Sequence, residues 1–260
     1  MSKSKGTALV TGASAGLGAE FARQLAARGN DLLLVARRED RLKDLASEIS
    51  AKHGRRVEVF AADLSDPDAP ERIQAFADAQ DLRIDWLVNN AGIAGPELLP
   101  ERDWHAQARF FELMMISVAH MCHLFLPGMQ ERGFGRVINV SSFAGRISRP
   151  AGGNYGPAKA YLVALSEELA LILKGTGVNI CALCPGFTHT EFHEAAGLME
   201  MKNGLPGFIW YDADVVVREG IDAVESGKPI WISGRLYRWL DPLAQSVWVR
   251  PILKAIAPGR

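Results

Sequence analysis

Short apolar runs alternate with longer amphipathic segments along most of this chain, and few folds accept such a pattern. The predicted strands are Thr7–Thr11, Leu32–Ala36, Val57–Ala61, Ile84–Asn89, Arg136–Val140, Val178–Leu183 and, more weakly, Ile230–Ser233. Their nearly continuous hydrophobicity is typical of parallel strands that are covered on both faces. Strands that alternate with helical segments indicate βαβ units and therefore an α/β fold.

Three of the intervening segments carry apolar residues at the three- and four-residue spacing of a helix. These helices, each followed by a glycine that can adopt the left-handed conformation, are Leu17–Arg28 with Gly29, Asp40–His53 with Gly54, and Tyr155–Leu173 with Gly175. We therefore expect one doubly wound, Rossmann-type parallel sheet of about seven strands with helices on both faces. In such sheets ligands bind at the carboxyl ends of the strands, so the residues after each apolar run are the candidate site.

The charge balance excludes two classes of partner. With 29 basic and 30 acidic side chains the net charge is −1, which removes the electrostatic case for nucleic acid or for a polybasic membrane contact. The segment Leu113–Gln130 lacks formal charge, but it contains Ser117, His120 and Pro127, and we expect a helix buried by protein rather than a transmembrane segment. Small molecules are the expected partners.

Three cysteines, Cys122, Cys181 and Cys184, are too few and odd in number for a disulfide framework, which favours a reducing, cytoplasmic location. Cys181 and Cys184 lie in a predicted buried strand, where thiols act as small hydrophobic groups. His189 and His193 are four residues apart, but no third metal ligand accompanies them and the order is not HExxH, so no metal site is predicted.

A glycine-rich turn, Thr11-Gly-Ala-Ser-Ala-Gly-Leu-Gly18, joins the first strand to the first helix. Glycine permits positive φ and close backbone approach, and the free N–H groups of a helix N-terminus attract phosphate. A tight strand-to-helix turn without a ligand is the alternative.

The spacing TGxxxGxG in this turn, together with Asn89-Asn-Ala-Gly92 after the fourth strand, resembles the short-chain dehydrogenase/reductase superfamily. Ser142, Tyr155 and Lys159 match the family's catalytic spacing, and Pro185-Gly186 follows the sixth strand as in relatives. The match extends to about Thr190. It implies one dinucleotide-binding catalytic domain over residues 1–260 and, by position in the motifs, a set of cofactor contacts. The implied cofactor-binding residues are Gly12, Ser14, Gly16, Leu17, Gly18, Arg37, Arg38, Asp63, Leu64, Asn90, Ala91, Gly92, Tyr155, Lys159, Pro185, Gly186, Thr188 and Thr190.

The end of the second strand predicts which nicotinamide dinucleotide binds. An acidic side chain there would bind the ribose hydroxyls of NAD and repel a 2′-phosphate. Ala36 stands at that position, followed by Arg37 and Arg38, whose guanidinium groups suit a phosphate. NADP is the predicted cofactor; the alternative is that both arginines are solvated residues at a helix start.

Tyr155 and Lys159 lie one turn apart on one helix face. A phenol with a pKa of about 10 is a poor acid–base group at neutral pH, and a neighbouring ammonium lowers that pKa. Tyr155 is therefore the predicted general acid/base, Ser142 a hydrogen-bond donor to the substrate oxygen, and Lys159 also a ligand of the nicotinamide ribose. Taken alone, a Tyr-Lys pair on a helix is more often an anchor and a solvated charge.

One position departs from the family. Met114 stands where relatives carry an asparagine that helps to hold a water linking the lysine to solvent, and a thioether cannot replace an amide in that role. A neighbour such as Ser117 or a backbone carbonyl holds the water, or turnover is slow, or the protein binds its cofactor without catalysis.

Substrate contacts are expected from Ile93–Trp104 and from an apolar, mobile lid at residues 191–211; packing of the lid residues on the body of the protein is the alternative. A lipophilic ketone or secondary alcohol suits such a lid. The tail at residues 237–260 is assigned to core packing or a subunit contact, with membrane contact as a minor alternative. The resemblance implies a homodimer or homotetramer through the Leu113–Gln130 and Tyr155 helices.

The sequence thus predicts an NADP-dependent oxidoreductase. The alternatives are a catalytically weak NADP-binding regulator or scaffold, and an isomerase or lyase on the same fold.

Overall fold

The computed structural model describes residues 6–99, 102–148, 153–191 and 206–249, and strands alternate with helices through these ranges. The strands are β1 (Thr7–Thr11), β2 (Asp31–Ala36), β3 (Val57–Ala61), β4 (Ile84–Asn89), β5 (Gly135–Val140), β6 (Val178–Pro185), β7 (Phe187–His189), β8 (Trp210–Asp212) and β9 (Ile230–Ser233). The helices are α1 (Gly16–Ala27), α2 (Glu39–His53), α3 (Ala69–Ala79), α4 (Trp104–Phe111), α5 (Ser117–Glu131), α6 (Tyr155–Ile172), α7 (Ala213–Glu225) and α8 (Arg235–Gln245).

The central sheet has seven strands in the order β3-β2-β1-β4-β5-β6-β9, and every adjacent pair is parallel. Leu9 of β1 pairs with Leu33 of β2 on one side and with Leu87 of β4 on the other. The direction of strand succession reverses between β1 and β4, so this is the topological switch point where such sheets bind ligands. The predicted fold class is confirmed.

Successive residues of each strand point to opposite faces, and both faces are buried. Leu32 and Leu34 pack with α1 and α7 on one face, whereas Leu33 and Val35 pack with α3 and α5 on the other. All four side chains are 0% exposed, and burial of each contributes about 1.5–3 kcal/mol. This two-sided burial explains why the strands read as continuous apolar runs.

The helical stretch Trp104–Glu131 is long and apolar enough to cross a membrane by length and composition. It is continuous through a π-helical turn at Glu112–Ile116. In α5, however, Met121, Phe125 and Met129 are buried in the core cluster on the sheet. This packing is that of a core helix, as the sequence predicts for Leu113–Gln130.

A second, two-stranded sheet joins β7 to β8. Aromatic packing accompanies this pairing: the Trp210 ring lies 5.0 Å from the Phe187 ring and stacks on His189 at 5.3 Å between ring centroids. The end of the predicted lid is therefore a strand. Residues 192–205, which include Leu198, Met199 and Met201, lie outside the described residues, as do residues 250–260 of the predicted tail.

Candidate active site

A cavity of about 900 Å³ opens at the carboxyl ends of the parallel strands. The residues that directly follow strands β1 to β6 all line it: Gly12, Arg37, Ala62, Asn90, Ser141 and Gly186. Because parallel strands end at the same edge of the sheet, six segments that are far apart in sequence meet at this cavity.

Nearly all of the residues that the sequence predicts as catalytic or cofactor-binding line this cavity. Those lining the cavity are Gly12, Ser14, Gly16, Leu17, Arg37, Arg38, Asp63, Leu64, Asn90, Ala91, Gly92, Ser142, Tyr155, Lys159, Pro185, Gly186, Thr188 and Thr190. Gly18 instead lies behind the turn, where a Cβ atom would collide with the Gly12 carbonyl and the Asn90 amide. Its absent side chain allows close packing within the turn.

The glycine-rich turn is shaped to receive a backbone-bound anion. Gly12 and Gly16 have φ angles of 65° and 54°, and a Cβ atom on Gly12 would lie 2.9 Å from Ala91 Cα. The Asn90 side-chain amide donates to the Thr11 carbonyl at 2.9 Å and ties the turn to the end of β4. Helix α1 begins at Gly16 without a side-chain cap, so its first N–H groups suit a phosphate. The residues present fit a dinucleotide.

Asp63, which the resemblance places beside the adenine, lines the cavity with a fixed carboxylate. Ser65 donates to it through both its backbone N–H, at 3.0 Å, and its hydroxyl, at 2.8 Å. Arg109 of α4 donates to the second oxygen at 3.1 Å. Burial by itself raises the pKa of Asp63, but the hydrogen bonds from Ser65 and the charges of Arg37 and Arg109 bring this pKa below its ordinary value. Asp63 is therefore ionised at neutral pH.

The predicted catalytic pair begins helix α6. The Lys159 ammonium donates to the Val140 carbonyl at 2.7 Å and lies 5.7 Å from the centroid of the Tyr155 ring. Lys159 is only 5% exposed, and burial lowers its pKa to about 8. The ammonium is thus still protonated at pH 7, where it can stabilise a phenolate on Tyr155.

Two serines at the end of β5 have different partners. Ser142 begins a 3₁₀ turn, Phe143–Gly145, and its hydroxyl accepts from the Ala144 N–H at 3.1 Å. Ser141, which the sequence prediction did not include, donates from its hydroxyl to the Lys159 carbonyl at 2.7 Å. This bond fixes helix α6 to strand β5, and so fixes Lys159 relative to Ser142.

Met114 is buried in the π-helical turn near Lys159. Its sulfur accepts from the Ile93 N–H at 3.4 Å. A Cβ atom on Gly92 would lie 3.1 Å from that sulfur and 3.6 Å from Lys159 Nζ, so both groups border the same glycine. The Ser117 hydroxyl donates to the Leu113 carbonyl at 2.8 Å, so its proton is already used in a hydrogen bond inside the helix.

Tyr237 of α8 is a cavity residue that sequence reasoning missed. Its hydroxyl accepts from the Phe187 N–H at 3.2 Å and donates to the Ile209 carbonyl at 3.0 Å. Its ring occupies the space that a side chain on Gly186 would fill. Burial raises the pKa of Tyr237, so its hydroxyl is neutral at pH 7. No motif marks this position, and the contact arises from the way α8 folds back on the sheet.

The remaining candidate groups are two histidines and three cysteines. Within the described ranges, no group of three potential metal ligands occurs; His193 lies outside them. Cys122, Cys181 and Cys184 are buried free thiols, and burial raises the pKa of each to about 12. Such thiols are unreactive at neutral pH.

Comparison with known proteins gives three findings. The profile of the family described as short chain dehydrogenase matches residues 6–200. A short chain dehydrogenase from Pseudocercospora fijiensis is 37% identical over 187 residues, which cover 71% of this chain and 60% of that protein. The structure of a short-chain dehydrogenase from Sphingobium yanoikuyae in complex with NADPH is 30% identical with a TM-score of 0.82, covering 97% of this chain and 96% of the other.

A short chain dehydrogenase/reductase from Burkholderia phymatum, in complex with NAD, has the same fold. It is 23% identical with a TM-score of 0.82, and the match covers 99% of this chain and 97% of that one.

Proposed function

This chain belongs to the short-chain dehydrogenase family, and we propose that it transfers a hydride between NADP(H) and a lipophilic ketone or secondary alcohol. Oxidoreduction of alcohols and ketones is the activity of the family. The observation that carries the finer proposal is the placement of Tyr155, Lys159 and Ser142 on one cavity wall with the glycine-rich turn.

The cofactor contacts divide between the two ends of the cavity. The glycine-rich turn would hold the pyrophosphate, Arg37 and Arg38 the 2′-phosphate, and the residues after β4 and β6 the nicotinamide half. When bound, the nicotinamide supplies or accepts the hydride.

The chain's own residues handle the proton. In a reduction, the Tyr155 hydroxyl gives its proton to the carbonyl oxygen, and the Ser142 hydroxyl donates a hydrogen bond to that oxygen. The Lys159 ammonium lowers the cost of the phenolate that forms on Tyr155. Oxidation of an alcohol runs through the same residues in reverse.

The preference for NADP rests on the end of β2. Ala36 leaves no carboxylate at the position that would meet a ribose 2′-hydroxyl, and the next two residues are arginines on the cavity wall. Arg38 is already oriented, because it donates to the Ser14 hydroxyl at 3.0 Å. Guanidinium groups are suited to phosphate, so NADP is favoured over NAD.

The substrate end of the cavity supports a lipophilic compound. The apolar residues that line this part of the wall are Ile93, Ala94, Pro96, Phe143, Ile147 and Phe187. Burial of a substrate's apolar groups against such a surface favours binding. Ser142 and Tyr155 provide the polar contacts that orient the substrate oxygen.

We also propose a homodimer or homotetramer in a reducing, cytoplasmic location. Helix α6 ends with Leu171 and Ile172 at 72% and 64% exposure, and Ile116 before α5 is 50% exposed. These side chains suit a subunit interface on the α5 and α6 helices. The three buried free thiols suit the reducing location.

The decisive experiment measures NADPH oxidation against a panel of ketones, with Tyr155→Phe as the test variant. We expect the variant to lose about 10²–10⁴-fold in turnover with little change in the Kd for NADPH, because only the proton donor is removed. Tyr161→Phe on the same helix is the matched control and should retain turnover.

Other outcomes identify other functions. Full turnover in Tyr155→Phe would contradict the assigned role of the phenol. Tight NADPH binding without turnover of any ketone or alcohol would indicate a regulator, the second candidate, which the buried Met114 beside Gly92 favours. Product formation without net NADPH consumption would indicate an isomerase or lyase.

A further inference from the structure

Glu191 lies at the predicted 2′-phosphate site although it is remote from that site in sequence. It follows β7 by two residues and lines the same cavity as Ser14 and Arg38. Thr190 before it packs directly on the glycine-rich turn, since a Cβ atom on Gly16 would lie 3.3 Å from Thr190 Cβ. The chain that leaves the nicotinamide end therefore crosses back over the phosphate-binding turn.

The Glu191 carboxylate is held by two guanidinium groups. Arg41 Nη1 donates to both carboxylate oxygens, at 3.0 and 3.3 Å. Arg38 Nη1 lies 3.8 Å from Oε2, while Nε and Nη2 of Arg38 donate to the Ser14 hydroxyl at 3.2 and 3.0 Å. Two guanidinium groups thus face one carboxylate, and one of them, Arg38, also donates to the Ser14 hydroxyl.

Arg41 belongs to this cluster for a geometric reason. It lies three residues after Arg38 at the start of α2, so the two side chains can reach the same point. A carboxylate and a phosphate can each accept two parallel hydrogen bonds from a guanidinium group. An arrangement that binds the one is chemically suited to bind the other.

We propose that Ser14 and Arg41 join Arg37 and Arg38 at the 2′-phosphate site and that Glu191 is its internal competitor. The inference rests on the proposed NADP preference and deepens it. The carboxylate pairs with Arg38 and Arg41 in the free protein, and the 2′-phosphate takes its place when NADP binds.

The exposure of the cluster allows such an exchange. The side chains of Arg38, Arg41 and Glu191 are 44%, 46% and 56% exposed, and ion pairs at such positions are weak. A phosphate carries more charge and more acceptor oxygens than a carboxylate, so it wins the exchange. NAD has no group to place there and leaves Glu191 paired. Glu191 therefore weakens the binding of NADP selectively.

Adenosine 2′,5′-bisphosphate and adenosine 5′-monophosphate separate this effect from catalysis. Their Kd values are measured by isothermal titration calorimetry for the wild type, Glu191→Gln, Arg41→Ala and the control Glu48→Gln. Glu48 pairs with Arg23 at 2.8 Å with side-chain exposures of 45% and 41%, so its substitution removes an equal charge from a similar ion pair nearby.

The expected effects concern the bisphosphate alone. Glu191→Gln should tighten its binding about two- to fivefold, and Arg41→Ala should weaken it about three- to tenfold. Both variants should bind the monophosphate as the wild type does, and Glu48→Gln should bind both ligands unchanged.

The failures of the two proposals can be told apart. Weaker or unchanged bisphosphate binding by Glu191→Gln would overturn the competitor role, since Glu191 would then support the arginines or be irrelevant. If the wild type binds the bisphosphate and the monophosphate equally, the NADP preference is contradicted. If Glu191→Gln then binds the bisphosphate more tightly than the monophosphate, the competitor role of Glu191 is still supported. If no variant prefers the bisphosphate, both proposals are wrong.

Discussion

Lys159 shows how one buried side chain sets the chemistry of its neighbours. It is enclosed by β5 and Ser141, with Val140 as its acceptor, and this enclosure lowers its pKa to about 8. A cation at this depth stabilises a phenolate more strongly than an exposed one would, because water screens it less. The same burial makes the charge costly for folding.

That cost predicts a dependence of stability on pH. The pKa of Lys159 is lower in the folded protein than its ordinary value of 10.5, so the unfolded chain binds more protons between about pH 8 and 10.5. The free energy of unfolding should therefore rise with pH across that window. Between pH 7 and 9.5 the wild type should gain on the order of 2 kcal/mol relative to Lys159→Met, measured by urea unfolding of both proteins. An equal pH dependence of the two would show that Lys159 is not perturbed.

Met114 allows a second test at this scale. Met114→Asn places an amide beside Gly92 and Lys159, where it can hold a bridging water, so we expect kcat to rise severalfold. The solvent deuterium isotope effect on kcat should change with it if proton supply limits turnover. Met115→Asn, on the same π-helical turn, is the control. Unchanged kcat in a folded Met114→Asn protein would show that the proton path does not need that amide.

At the scale of elements, helix α8 completes the site from the far end of the chain. Its Asp241 accepts from Arg146 through Nε and Nη2, both at 2.8 Å, and the two side chains are 12% and 18% exposed. Arg146 directly follows the 3₁₀ turn that Ser142 begins. The ion pair therefore joins α8 to the turn that begins at Ser142, the proposed hydrogen-bond donor to the substrate.

Breaking this ion pair should cost stability and activity together. Asp241→Asn leaves a mostly buried guanidinium without its anion, and we expect a loss of about 2–4 kcal/mol in the free energy of unfolding, with reduced kcat. Asp222→Asn removes the exposed partner of Arg28, at 60% exposure, and should cost less than about 1 kcal/mol. Chemical denaturation of both variants provides the comparison. Equal losses would contradict the linking role of Arg146.

Local patterns explain why some elements were predicted and others were not. The strands and the glycine-rich turn carry their own signals, in continuous apolar runs and in glycines such as Gly12 that must adopt positive φ. Strand ends converge by topology, which is why Ser142 and Asn90 could be placed together from the sequence. Tyr237 lines the cavity and Arg109 contacts Asp63 only through tertiary packing, and β8 pairs with β7, on which Trp210 packs. No local pattern encodes such contacts.

At the scale of the whole molecule, the doubly wound sheet brings the residues proposed to select the cofactor and those proposed to transfer the proton to one cavity. The proposed selecting residues follow β2, and the proposed catalytic residues follow β5 and begin α6. A change at one end can therefore alter cofactor choice without touching the proton donor.

Ala36→Asp tests this separation. The new carboxylate should repel the 2′-phosphate and bind the ribose hydroxyls, so the ratio of kcat/KM for NADPH to that for NADH should fall at least about tenfold. Ala79→Asp adds the same charge at the exposed carboxyl end of α3, at the other edge of the sheet from the end of β2, and should change the ratio little. An unchanged ratio in Ala36→Asp would mean that another part of the chain selects the cofactor.

The central claim is that Tyr155, beside a buried lysine, delivers the proton next to the nicotinamide. A crystal structure of the protein with NADP and a non-reacting ketone or alcohol tests it most directly. We expect the ligand oxygen to be hydrogen-bonded to the hydroxyls of Tyr155 and Ser142, with the nicotinamide ring against it. A nicotinamide ring bound away from Tyr155 and Lys159 would contradict it.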